Sequence, residues 1–200
     1  PRDLSLSLGS ASLAPVQVVR GFATFANGGR RVDPILIERV EDRLGRPLER
    51  HTAQSRCIQC HQTPAAEMPP SQVARAHPEK RFHATFRPER VLSPQTNYQM
   101  VSLLQGVVER GTGWRAKRLD RSVAGKTGTS NDQRDAWFLG FNPDRVTGVY
   151  VGFDTPRTLG SRETGSRAAA PIWVDFMDQA LAGEPRQEFQ QPEGLVTVRI

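Results

Sequence analysis

The chain has 200 residues, 37% of them apolar, and a net charge of +6. That suits one substantial domain or a domain with an appendage, and it is too apolar for a disordered chain. No run of 18 apolar residues occurs, so no segment reads as a membrane-spanning helix. Of 27 basic residues only Lys80, Lys117 and Lys126 are lysines, and the arginines are interleaved with acids, as in "ERVEDRLGRPLER". The pattern fits a solvated arginine-rich surface rather than a nucleic-acid footprint.

The first predicted element is a helix in "SLAPVQVVRGFATFANGG" (12–29), where Val16, Val19, Phe22, Ala23 and Ala26 recur at helical spacing. Pro15 suits its first turn and Asn27-Gly28-Gly29 its stop. "PILIERVEDRLGRPLER" (34–50) reads as a hairpin turning around Gly45. Residues 51–90 show neither period and hold both cysteines and all four histidines, so they are expected to form an irregular insertion and to be the most mobile part of the chain. A second helix is expected in "SPQTNYQMVSLLQGVVERGTG" (93–113), with Ser93 as cap and Met100, Val101, Leu104, Val107 and Val108 as its apolar stripe.

"RSVAGKTGTS" (121–130) is short and β-compatible. "DAWFLGFNPDRVTGVYVGFD" (135–154) reads as two strands joined through Asn142-Pro143-Asp144, and "AAAPIWVDFMDQALAG" (168–183) as a last amphipathic helix. Helices flanking consecutive strands with short connections predict an antiparallel sheet in an α/β or α+β layer. The chain opens on "PRDLSLSLGS" with no methionine and closes on the strand-like "LVTVRI", so it is expected to be a piece of a longer polypeptide.

"GKTGTS" holds the side chains best suited to chemistry. Lys126 and Thr127 project to opposite faces of a strand, so both reach one ligand only from an edge strand beside a cleft. Gly128 leaves room for a ligand backbone, and the hydroxyls of Thr127 and Thr129 together with free N–H groups suit a carboxylate or an oxyanion.

With these residues goes a resemblance. The order "LSLSLGSASLAPVQVVRGFATFANGG", "VLSPQTNYQMVSLLQGVVERGTGWRA", "GKTGTSNDQRDAWFLGF", "VYVGFD" resembles the transpeptidase domain of class A (bifunctional) penicillin-binding proteins over about 1–50 and 86–184. The resemblance implies the penicillin-binding/serine β-lactamase-like fold, present as its C-terminal half. It divides the chain into 1–50 and 91–184 of that domain, an insertion at 51–90 and a tail at 185–200. No Ser-x-x-Lys and no Ser-x-Asn occurs in the sequence. The family places both upstream of its "LSLALG"-like segment, so the chain is expected to begin just after the second motif and to be inactive alone.

In the parent so implied, a serine attacks the carbonyl between two terminal D-alanines of a peptidoglycan stem peptide, and an amine from a neighbouring stem resolves the acyl-enzyme. Lys126 would point toward the missing Ser-x-Asn serine. Thr127 and Thr129 would hold the donor carboxylate, or that of a β-lactam, beside Gly128. The N–H of Thr129 would supply half an oxyanion hole. Gly111, Thr112, Gly113 and Trp114 would form the cleft rim, Trp114 offering either a platform for substrate or a half-buried packing ring. The implied partners are stem peptides, β-lactams and the upstream half of the same domain, with no nucleic acid and no cofactor. The parent would be anchored on the periplasmic side of the inner membrane.

"CIQCH" (57–61) has the spacing of covalent haem attachment, with Met68 or Met100 as the distal ligand, but its flanks are polar and Pro-rich. A zinc site would draw on Cys57, Cys60 and two of His51, His61, His77 and His83, since all four histidines fall in this insertion. The oxidising compartment implied by the resemblance, and the Cys-x-x-Cys that family members can carry in this insertion, favour a local disulfide between Cys57 and Cys60. Two rival functions follow: a D,D-carboxypeptidase or β-lactamase of the same chemistry, and a non-enzymatic haem or metal module around 51–83.

Overall fold

The computed structural model describes residues 11, 13–50, 88–196 and 198. Cys57, Cys60, the four histidines and Met68 lie outside the described residues, and with them the disulfide, haem and zinc readings and the expected mobility of the insertion. The chain forms two compact units, Pro1–Val32 with Arg90–Ile200, and Asp33–Glu89. No helix among the described residues is long and apolar enough to cross a membrane.

In the smaller unit, β1 (Arg39–Glu41) pairs antiparallel with β2 (Pro47–Arg50), with an irregularity between Val40 and Glu41. The turn is organised by the carboxylate of Asp42. It accepts from the amides of Leu44 (2.8 Å) and Arg46 (2.9 Å) and from Nε of Arg46 (2.7 Å). Gly45 supplies the left-handed residue, at φ 76°. The pairing begins at residue 39 and not at 34. Its return strand is four residues long, and Ile35, Leu36 and Ile37 remain exposed.

The larger unit is built on the antiparallel sheet β3 (Ala124–Thr129), β4 (Ala136–Phe141), β5 (Val146–Val151), with β4 in the centre. Gly125 faces Gly140, Thr127 faces Phe138, and Leu139 faces Gly148 in the register. Alternation sends Phe138 and Phe141 to opposite faces, so β4 is buried on both. On one face Phe138 meets Trp173, Val174 and Met177 of α3 (Ala170–Ala180), together with Val108, Leu119 and Val123. On the other, Phe141 and Ala124 meet Val101 and Leu104 of α2 (Pro94–Glu109) and Phe22 and Phe25 of α1 (Pro15–Ala26).

Two details fix the packing. A Cβ on Gly140 would lie 2.6 Å from the Trp173 ring, so this glycine is the seat of the indole, whose Nε1–H donates to the Thr147 carbonyl at 3.0 Å. In the β4–β5 turn, Oδ1 of the buried Asn142 accepts from the amides of Asp144 (3.3 Å) and Arg145 (2.7 Å).

Both helices start where the sequence predicts. Ser93 Oγ accepts from the Thr96 amide at 3.1 Å, and Pro15 opens α1. The buried stripe of α2 is Asn97, Val101, Leu104 and Val108. Met100 is exposed and Val107 half-buried, while Asn97 enters the stripe because its Nδ2–H donates to the Phe25 carbonyl at 3.0 Å, tying α1 to α2. Val16, expected on the apolar face of α1, is exposed. At the C-terminal end Leu195, Val196 and Val198 lie in no strand.

Candidate active-site strand

β3 is an outer strand of its sheet, paired only with β4 among the described residues. Ala124 and Gly125 are buried, Lys126 and Thr129 are exposed, and Thr127 and Gly128 are half-buried. The strand thus runs from core to surface along the Lys-Thr-Gly-Thr segment. Lys126 Nζ–H donates to the carbonyl of Thr127 at 2.9 Å. Lys126 and the two threonines project to opposite faces, so a ligand meets all three only by lying along the unpaired edge.

Both threonine hydroxyls are engaged from behind. Thr127 Oγ1 lies 2.7 Å from Thr112 Oγ1, and Thr129 Oγ1 accepts from the Gly165 amide at 3.1 Å. Thr112 is itself held, its carbonyl accepting from Ser166 Oγ at 2.7 Å. The flanking glycines explain its placement. The amides of Gly111 and Gly113 both donate to the Val107 carbonyl, at 3.1 and 3.0 Å, folding the loop back on the last turn of α2. A Cβ on Gly111 would come within 2.9 Å of that carbonyl oxygen, and one on Gly113 within 3.2 Å. "RGTG" is therefore the backbone route that brings one hydroxyl to β3.

Gly165 opens a π-helical turn, Gly165–Ala169, that leads into α3. It abuts the paired strands so closely that a Cβ would lie 2.3 Å from the Trp137 carbonyl and 2.5 Å from that of Gly128. Gly165 and Ser166 are the site-forming residues that reading the sequence misses. Their only signal is the small-residue run "TGSRAAAP" before a predicted helix.

Trp114 does not pack as the half-buried ring that was one of its two expected roles. It is 55% exposed, not half-buried, with the Arg115 guanidinium 4.5 Å above its ring. It lines a cavity of about 470 Å³ with Lys117, Arg118, Pro171 and Val174, and neither Lys126 nor the threonines of β3 belong to that lining. Arg118 also pairs with Asp175 of α3. Among the described residues no group of three His, Cys, Asp or Glu could hold a metal ion.

On the loop between β3 and β4, Ser130 Oγ accepts from the Asp135 amide at 2.8 Å, and Tyr150 donates its phenol proton to Asp135 Oδ1 at 2.8 Å. That hydrogen bond, with smaller contributions from burial and from the charges of Asp135 and Asp154, raises the Tyr150 phenol above its ordinary value.

An antiparallel sheet packed between helices carries the Lys-Thr-Gly-Thr segment on an outer strand, and sequence comparison assigns such a chain to a family. The profile of the penicillin binding protein transpeptidase domain matches residues 3–178, and the chain belongs to that family. It is 40% identical to penicillin-binding protein 1A of Pseudomonas aeruginosa over 100% of this chain and 26% of that protein. To penicillin-binding protein 1A of Rickettsia prowazekii it is 36% identical over 98% of this chain and 24% of that protein. The chain therefore spans about a quarter of the length of these relatives.

Among solved structures, penicillin-binding protein 1A of Haemophilus influenzae superposes with a TM-score of 0.76 at 31% identity, over 94% of this chain and 29% of that one. An imipenem acyl-enzyme of penicillin-binding protein A from M. tuberculosis superposes at 0.57 with 21% identity, over 86% of this chain and 32% of that one, a likeness of fold alone.

Proposed function

We propose that this chain supplies the substrate-holding strand of a peptidoglycan D,D-transpeptidase within a bifunctional cell-wall synthase, anchored in the inner membrane and working on its periplasmic side. The observation that carries the reading is the outer strand β3, which presents Lys126, Thr127 and Thr129 at an edge unpaired among the described residues, with both hydroxyls fixed from behind. Family membership and the names of the relatives support it.

The nucleophilic serine lies in the upstream half of the domain. Its oxygen bonds to the penultimate D-alanine carbonyl, the amide C–N bond breaks, and terminal D-alanine leaves with a proton on its nitrogen. A stem-peptide amine then attacks the ester, and the serine oxygen regains a proton. Thr127 and Thr129 donate to the donor carboxylate, and the Thr129 N–H faces the developing oxyanion. Lys126 keeps the site electropositive beside the serine of the Ser-x-Asn motif. Gly111, Thr112, Gly113 and Trp114 border the cleft.

Incubation with a fluorescent penicillin followed by denaturing electrophoresis tests this. The full-length protein is expected to carry a covalent label that Lys126→Ala reduces at least about a hundredfold, on the scale of losing a charged group from a catalytic site. The 200-residue chain alone is expected to carry none. A labelled chain would reveal a nucleophile inside it.

A further inference from the structure

We propose that Thr112 is a positioning residue for the carboxylate-binding hydroxyl of Thr127, and that Ser166 holds Thr112 in the productive place; the proposal rests on the transpeptidase reading above. The Thr112 and Thr127 hydroxyl oxygens are 2.7 Å apart, and either can be the donor. A hydroxyl has one proton to give, and an ionised carboxylate only accepts. Once a carboxylate sits on Thr127, the Thr127 proton goes to it, and Thr127 Oγ1 must accept from Thr112. The ligand thus sets one direction along the chain, from Thr112 to Thr127 to the carboxylate. A hydroxyl that already accepts a hydrogen bond is polarised and donates more strongly.

Thr129 shows the same arrangement with a backbone donor, because Gly165 N–H feeds its oxygen at 3.1 Å and leaves its proton for the same anion. Thr112 does for Thr127 what an amide does for Thr129. For that a side chain needs a fixed backbone. The two amides on the Val107 carbonyl set the loop, and the 2.7 Å bond from Ser166 Oγ to the Thr112 carbonyl fastens it to the turn before α3. Thr112 is exposed, so its hydroxyl is not needed to satisfy a buried group and can be removed without breaking the core.

The test compares acylation of the full-length protein by a penicillin and by the methyl ester of the same penicillin, which lacks the charged carboxylate. Thr112→Val, isosteric but without the hydroxyl, is expected to slow the penicillin about tenfold and the ester less than about twofold, with an unchanged thermal midpoint. Thr112→Ser is expected to restore the penicillin rate to within about threefold of wild type, and Ser166→Ala to slow the penicillin about threefold. Equal slowing of both compounds by Thr112→Val would show a merely structural role and overturn the proposal. So would an unchanged penicillin rate, or failure of the serine variant to rescue. A wild-type protein that no penicillin acylates would overturn the transpeptidase reading itself, a result the variants alone cannot produce.

Discussion

At the scale of single residues, hydrogen bonds formed far along the sequence decide what a side chain can do. Tyr150 is one case. Its phenol is held in the protonated form by Asp135, so the folded chain binds that proton more tightly than the unfolded one. The contribution to stability is complete below the ordinary phenol value of about 10 and is lost as pH rises through the raised folded value. Tyrosinate absorbance in a Tyr98→Phe background, which leaves Tyr150 as the only tyrosine, should show a late titration that Asp135→Ala brings down. An unchanged curve would refute the contact. The outer-strand placement of Lys126, Thr127 and Thr129 was legible because the tripeptide and its neighbours form a contiguous string. Gly165 and Ser166 were not, because their partners stand 36 and 54 residues away and no local pattern encodes that approach.

Among the elements, the small hairpin offers a test of its own. Three hydrogen bonds into the Asp42 carboxylate, the Arg46 amide foremost, hold its carboxyl below the usual value. A depressed folded value means the stabilisation is present above the ordinary carboxylate value of about 4 and is lost as pH falls through the folded one. Protection of the Leu44 and Arg46 amides, taken relative to the intrinsic exchange rate at each pH, should fall on acidification over that window, and Asp42→Ala should remove that protection at every pH. Exchange that is fast at neutral pH would show that the turn does not depend on the carboxylate.

The elements also divide by how readable they were. The α2 cap, the β4–β5 turn and α3 follow from local chemistry, namely a serine before a proline, an Asn-Pro-Asp turn and helical spacing. The start of β1 and the α1 and α2 stripes did not. The exposed run Ile35, Leu36, Ile37 looks like a strand, but it lies in no strand, and the described pairing starts at Arg39. In α2, Asn97 displaced the exposed Met100 from the stripe because a carbonyl on another helix needed a donor.

For the molecule as a whole, the larger unit is interrupted in sequence yet continuous in space. Arg30 and Arg90 are bridge partners, and the Gly29 carbonyl accepts from the amides of Val91 (2.9 Å) and Leu92 (3.1 Å). The ends left by removing 33–89 therefore already lie side by side. Replacing that segment with a short glycine-rich link in the full-length protein shortens a loop and should lower its closure entropy. The shortened protein is expected to keep its penicillin acylation rate within about threefold, or under ~0.7 kcal/mol of barrier. A loss of about a hundredfold with an intact fold would place 33–89 in the active site.

The guanidinium of Arg121, three residues ahead of β3, donates to the carbonyls of Leu181 (2.9 Å), Glu184 (2.8 Å) and Pro185 (3.1 Å), where α3 ends. At the far end of β3, Thr129 is bonded to Gly165, where the same helical stretch begins. The five strand steps of β3 cover about 17 Å, and the ten helical steps of α3 cover about 15 Å. Strand and helix thus span nearly equal distances and are pegged together at both ends, like a string on a bow. Such a string cannot creep lengthwise without stretching its own stave. The two threonine hydroxyls should keep their spacing whether or not anything is bound, and the cleft would adjust to ligands of different length by moving its opposite wall.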